Sequence, residues 1–160
     1  MATESQQDTK YEKRRVLLAI DHSEHSMRAF EWYFENIHRD DNLLMLVHSQ
    51  ELPPIFIPPD AFGTTLYNEW LAEAKKASLQ SKKLLEGFER MCKERHCECE
   101  KHLLEGDNPG PAIIKLIKKS KPNYVVIGSR GQSMVRRTVM GSVSDFIIHH
   151  AHVPVCISPP

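Results

Sequence analysis

Apolar residues in this chain come in two patterns: short unbroken runs, and longer stretches with helical spacing. "RRVLLAI" (14–20) and "NLLMLVHS" (42–49) carry branched and leucine side chains at consecutive positions. Unbroken apolarity over strand length predicts strands buried on both faces, as in a parallel sheet. "PNYVVIG" (122–128) repeats the pattern. "VPVCIS" (153–158) is a shorter version, and Pro154 near its start predicts an edge position. "CECEKHLLE" (97–105) mixes charged and apolar residues and predicts a more exposed third strand.

Between the runs the spacing changes to three and four. Ser23 suits a helix N-cap, and Met27, Phe30, Phe34 and Ile37 follow at helical intervals, predicting a first helix to about Asn36. Leu66, Trp70, Ala74, Ala77, Ser81, Leu84, Phe88 and Met91 predict one long amphipathic helix over about 64–94, weakened locally by Gly87. "GDNPGPAIIKLIKKS" opens on Asn-Pro and Gly-Pro, both suited to a helix start, and predicts a third helix to about Ser120. "SVSDFIIHHA" predicts a fourth. "QELPPIFIPPDAFG" (50–63) holds four prolines, so it is neither a central strand nor a helix interior. A loop of this length is expected to be a functional flap or a partner contact.

The order is therefore β-α-β-α-β-α-β-α-β. Strict alternation with helical crossovers predicts an α/β fold in three layers, a parallel sheet with helices on both faces. Ligands of such sheets sit at the carboxyl ends of the strands, where strand order reverses. That points to Asp21, His48, Ser49 and Gly128 before any motif is considered.

One stretch then stands out: "GSRGQSMVRRTVMGSVSD" (128–145), with the spacing Gly128-x2-Gly131-x9-Gly141-Ser142 between a buried strand and a helix. Glycines let consecutive amides converge on an anion. A helix N-terminus adds free N–H groups and a favourable dipole. Ser142, Ser144, Arg130 and Arg136 add hydroxyls and charge. Two readings stand side by side on these residues: a phosphate cradle, or an ordinary loop before a helix capped by Ser142 in the capping-box pattern "SVSD". The stretch is neither a Walker loop nor a Gly-x-Gly-x-x-Gly dinucleotide fingerprint. Asp21 has an equivalent local role, bonding backbone amides at a strand-to-helix turn.

The glycine spacing resembles the signature of the universal stress protein family, in its ATP-binding branch. "AIDHS" after the first strand, "LVHS" at the end of the second and the closing "HHAHVPVCI" agree in order, so the resemblance covers about 13–158. It implies a Rossmann-like (adenine nucleotide alpha hydrolase-like) five-stranded parallel sheet with strand order 3-2-1-4-5. It also implies an adenine nucleotide at the carboxyl edge: ATP, or AMP or ADP, with Mg²⁺ as an accompanying ion. Ala19, Ile20 and Asp21 would then line the adenosine, with the Asp21 carboxylate on the ribose. Ser49 would offer backbone groups to the adenine, and Ile127 and Gly128 would pack under base and sugar. Ser129, Arg130, Gly131 and Gly141 would belong to the phosphate loop, with Ser142, Val143 and Ser144 donating to phosphate. A homodimer through the C-terminal strand 153–158 is implied as well. The chain departs from many members in carrying alanine and isoleucine before the aspartate, and in its proline-rich loop.

Composition narrows the partners. With 160 residues the chain suits one domain (13–160) behind a polar, disordered lead-in (1–12). Lys+Arg and Asp+Glu are both 21, so no basic excess predicts nucleic-acid binding. The apolar runs are far short of the ~20 residues that span a bilayer, so no membrane partner is expected. The N-terminus has no apolar signal core, and four cysteines without a secretory signal are expected to be free thiols in the cytoplasm. "CKERHCECEKH" (92–102) fits no common zinc spacing and reads as a reducible patch or a plain edge strand. No metal site and no catalytic residue is expected. Phosphoryl transfer needs a metal-binding carboxylate and a positioned nucleophile. Near the glycine stretch stand only Asp21, at the wrong end of a nucleotide, and Asp145, which fits either water-mediated Mg²⁺ or a helix cap. The expected function is a nucleotide-dependent stress-response regulator or sensor acting as a homodimer. The alternatives are a slow ATPase, or a nucleotide-free interaction module that uses the 50–63 loop.

Overall fold

The computed structural model of the protein describes residues 13–52, 54, 63–106, 108–131 and 140–159. The predicted lead-in, most of the proline-rich loop and Arg136 lie outside them. The elements run β1 (Arg14–Ala19), α1 (Glu24–Asn36), β2 (Asn42–Gln50), α2 (Gly63–Glu94), β3 (Glu98–Glu105), α3 (Pro109–Ser120), β4 (Tyr124–Gly128), α4 (Ser142–His150) and β5 (Val155–Ser158). The five strands form one parallel sheet in the order β3-β2-β1-β4-β5, as expected.

β1 is the centre because its side chains are needed on both faces. Val16, Leu18 and Ile20 enter one core with Phe30 and Tyr33 of α1 and Leu85, Phe88 and Cys92 of α2. Leu17 and Ala19 enter the other with Ile113, Ile114 and Ile117 of α3 and Ile147 of α4. Alternation along an unbroken apolar strand thus feeds two cores at once. Each fully buried side chain of this kind contributes about 1.5–3 kcal/mol. Tyr33 is fully buried, yet its hydroxyl is satisfied by Asn42 Nδ2 at 3.0 Å and His38 Nδ1 at 2.9 Å.

The two edges differ. β3 carries Glu98, Glu100 and Lys101 outward and ties them to Lys13, Arg15 and Glu89. Charge of this kind blunts an edge. β5, "VCIS", has no charged residue and is mostly half-buried. It begins at Val155 rather than Val153, because Pro154 has no N–H; only its carbonyl pairs, accepting from Val125 N at 2.9 Å. β4 begins at Tyr124 because Asn123 serves as a clamp instead. Its N–H donates to Arg15 O and its Oδ1 accepts from Arg15 N, both at 2.8 Å. Among the described residues no helix is long and apolar enough to cross a membrane.

α2 and α3 both stop on non-glycine residues in the left-handed region, His96 (φ 55) and Lys121 (φ 47). The Lys121 N–H reaches Ile117 O at 2.8 Å, closing the helix in the usual left-handed cap. A side chain there costs energy that glycine does not. Lys121→Gly is therefore expected to stabilise the protein by about 1 kcal/mol, a rise in Tm of roughly 2–4 °C by calorimetry. An unchanged or lower Tm would contradict this account of the α3 terminus.

Candidate functional site

The carboxyl ends of β1, β2 and β4 and the N-termini of α1, α3 and α4 surround a cavity of about 940 Å³. The reversal of strand order between β1 and β4 opens it. Its size is within the range of small-molecule sites. Ala19, Val47 and Ile127 give it an apolar floor.

The β1 wall is built by short-range bonds. Ile20 N continues the ladder to Val47 O at 2.8 Å. Asp21 then turns the chain: its Oδ1 accepts from Ser23 N at 2.9 Å, and its carbonyl accepts from Ser26 Oγ at 2.7 Å. Ser23 caps α1, accepting from Ser26 N. One oxygen of Asp21 thus has the local role foreseen for it. The other, Oδ2, lies 2.8 Å from where a side chain on Gly131 would begin. The loops leaving β1 and β4 meet at this carboxylate, and a larger residue than glycine would displace it. Gly128 is fixed by a second close approach: a side chain there would begin 2.8 Å from the His25 carbonyl oxygen of α1.

The β2 wall carries His48. Its Nδ1 lies 2.9 Å from Ile20 O and its Nε2 lies 3.2 Å from Ser81 Oγ. A carbonyl can only accept, so Nδ1 holds the proton and Nε2 accepts from Ser81. Burial pushes the His48 pKa down and outweighs the upward effect of the Ile20 carbonyl. The neutral ring pins α2 to the ends of β1 and β2.

The third wall is the start of α4. Gly141 is its N-cap and makes no side-chain capping bond, so Ser142 does not cap the helix as the capping-box reading expected. The amides of Ser142, Val143 and Ser144 stand in the first turn, where no intrahelical acceptor exists. Gly141 N is taken by Ser129 O at 2.8 Å. Ser144 is buried, and its hydroxyl turns inward to Ser129 O (3.1 Å) and Gly141 O (2.9 Å). The Ser144 side chain is thus a strut, and only its backbone faces the cavity as a donor. Asp145 is exposed, 3.6 Å from His149 one turn on.

The structure brings Ala19, Ile20, Asp21, Ser49, Ile127, Gly128, Arg130, Gly131, Gly141, Ser142, Val143 and Ser144 to one cavity. Ser129 stands outside its lining; it ties β4 to β5 through Ser158 O at 3.0 Å and holds α4's first turn. Sequence reasoning missed the contributions of Gln80 and Ser81 from α2 and of Asn108, Pro109 and Gly110 from α3. The Asn-Pro-Gly-Pro run marked a helix start but not that it faces the site. Three buried polar atoms on lining residues have no partner among the described residues: Ser49 Oγ, Gln50 Oε1 and Arg130 Nε. Buried polar groups are nearly always satisfied, so unpaired ones on the lining of a cavity are open to a water or a ligand there.

Comparison with known proteins gives this geometry its context. The family model described as the universal stress protein family matches residues 13–159. A universal stress protein A-like protein of Arabidopsis thaliana is 32% identical over 139 residues, covering 80% of this chain and 74% of its own. The solved structure of an Arabidopsis thaliana universal stress family protein with AMP bound has 28% identity and a TM-score of 0.62, with 90% of each chain covered. Universal stress protein UspA from Lactobacillus plantarum, at 18% identity and TM-score 0.69 over 90% of this chain and 96% of its own, shares the fold.

The His48 bonds make stability depend on pH. Its folded pKa lies below the ordinary 6.5, so the unfolded chain takes up the proton first on acidification. Stability from this group is complete above pH ~6.5 and is lost as pH falls through the depressed folded value. Denaturant unfolding between pH 7.5 and 5 should show this loss. His48→Asn should flatten that part of the profile; an unchanged slope would remove His48 as its source.

Proposed function

The chain belongs to the universal stress protein family, and from that premise we propose that it binds an adenine nucleotide in the cavity and acts as a nucleotide-dependent regulator or sensor. The observation that carries the reading is the set of unpaired buried polar atoms, Ser49 Oγ, Gln50 Oε1 and Arg130 Nε, around a cavity into which α4 points uncapped amides. The AMP held by the Arabidopsis relative supports the ligand class.

In this reading the ligand lies across the β1–β4 reversal. Ala19, Ile20, Ile127 and Gly128 offer the apolar surface for base and sugar. Asp21 Oδ2 accepts from ribose hydroxyls, and Ser49 and Gln50 supply polar contacts to the base edge. Arg130, Gly131 and Gly141 flank the phosphates. The amides of Ser142, Val143 and Ser144 and the Ser142 hydroxyl donate to them, helped by the positive end of the α4 dipole. ATP, ADP and AMP share these requirements, and Mg²⁺ would ride on the phosphates with Asp145 nearby. Among the described residues no side chain of the wall is set up as nucleophile or base, and binding rather than turnover is the proposed output. The domain proposed to do this spans 13–160, and the free thiols suit a cytoplasmic setting.

We also propose a homodimer through β5. Pro154 O and Ser158 O face β4, so Val155 and Ile157 present their backbone groups outward. An uncharged edge of this kind is a template for a second copy.

Two variants test these readings. Ser142→Asp places a carboxylate at the first turn of α4, where an acid favours the helix but repels phosphate. Calorimetric titration should show AMP and ATP affinity reduced about tenfold or more, at ~1.4 kcal/mol per factor of ten, with Tm unchanged or higher. Wild-type affinity would contradict the placement of the phosphates. Ile157→Pro removes an outward N–H without touching the β4 ladder. Sedimentation should show a folded monomer, and a persisting dimer would place the interface elsewhere.

A further inference from the structure

α3 and α4 start side by side on one face of the sheet, and both starts line the cavity. They meet at one pair. A side chain on Gly110 would begin 2.8 Å from Cδ1 and 3.0 Å from Cγ of Phe146. Gly110 has no positive φ, so space rather than backbone conformation requires glycine here. Phe146 is held from another side as well. The His150 ring stacks on it, with centroids 3.9 Å apart and planes 15° from parallel. His150 is one turn on, and its Nδ1 donates to Phe146 O at 2.8 Å, since a carbonyl only accepts. Residues three or four apart on a helix share a face, so Val143, Phe146 and His150 form one edge of α4, the edge toward α3.

The cavity has two unlike sides. Toward α1 and α2 it is polar, with His22, His48, Gln80 and Ser81. Toward α3 and α4 it is apolar: above the floor of Ala19, Val47 and Ile127 stand Ile113 of α3 and Val143 and Phe146 of α4. Ser49 is two positions beyond Val47 and leaves β2 on the same side. Its Oγ is buried without a partner among the described residues, so a hydroxyl stands at the end of an apolar slot. A purine ring is apolar on its faces and carries its hydrogen-bonding groups on its rim. It matches this slot, whereas on the opposite side its faces would strip water from polar side chains.

Resting on the adenine-nucleotide reading, we propose that Phe146 is a specificity-determining residue, the wall that gauges the base, and that Gly110 is the positioning residue that sets where this wall stands. A purine fills the slot as far as Phe146. A single-ring pyrimidine leaves that contact unmade. A methyl group at position 110 is not accommodated at 2.8 Å, so Phe146 has to shift, and the stacked His150 restrains how it can do so. One methylene in a closely fitting apolar pocket changes affinity by about tenfold or more.

Calorimetric titration of the full chain with AMP, CMP and ribose 5-phosphate tests this, with thermal unfolding of each variant alongside. The wild type should bind AMP about tenfold or more tightly than CMP. Phe146→Leu should remove most of that preference by weakening AMP, and should leave ribose 5-phosphate, which has no base, unchanged. Gly110→Ala should weaken AMP about tenfold or more, again sparing ribose 5-phosphate. Adding Phe146→Leu to Gly110→Ala should recover AMP binding relative to Gly110→Ala alone, because the smaller side chain clears the new methyl. Equal losses of AMP and ribose 5-phosphate would mark a merely structural effect and overturn the proposal. Unchanged AMP affinity in Phe146→Leu, or no recovery in the double variant, would overturn it as well. A wild type that binds none of the three ligands would overturn the nucleotide reading itself, and the proposal with it. Phe146→Leu is an apolar exchange at a half-buried site, so the test stands even where Gly110→Ala fails to fold.

Discussion

The structure depends on β1 being held between β2 and β4 with apolar side chains on both faces. Val16, Leu17 and Leu18 are fully buried, and register is fixed on each side from Arg14↔Asn42 and from Val16↔Tyr124 onward. The crossover from β1 leads to β2 on one side, while the chain reaches β4 on the other only after β3 and α3. The loops leaving β1 and β4 must therefore part, and the crevice between them is a consequence of topology. Every wall of the cavity refers back to this strand end. Ile20 gives its N–H to Val47 and its carbonyl to His48, and Asp21 sets the start of α1 while touching the β4 loop.

The same bonds that close the fold also shape the cavity's chemistry. Ser129 and the Ser144 hydroxyl are consumed in holding the first turn of α4. That fixes the direction of the helix, and it leaves backbone amides, not serine hydroxyls, as the main donors. Backbone donors on a braced helix end cost little reorganisation when an anion arrives. His48 works similarly: as a neutral, buried ring it ties α2 to the sheet, so the α2 residues Gln80 and Ser81 become part of the site.

Much of this was legible in the chain. Unbroken apolar runs announced buried parallel strands, and the sheet order and helices agree with that reading. The spacing Gly128-x2-Gly131-x9-Gly141 pointed to the carboxyl edge of the sheet, where the cavity lies. What stayed hidden depends on three-dimensional docking. The glycines at 128 and 131 answer to close approach by His25 and Asp21, residues more than a hundred positions away. That Gly141 and not Ser142 is the N-cap reflects Ser129 O taking the Gly141 amide. The α2 and α3 contributions follow from how those helices lie on the sheet, which no local pattern encodes.

The central claim is that an adenine nucleotide is the partner of the cavity's unpaired groups. The most direct measurement denatures the protein purified from cells and identifies released small molecules by mass spectrometry, with thermal unfolding in millimolar AMP or Mg-ATP alongside. The account predicts adenine nucleotide near one per chain, or, where it is lost in purification, stabilisation of about 2.7 kcal/mol at a hundredfold excess over Kd. No released nucleotide together with no stabilisation by either ligand would contradict it.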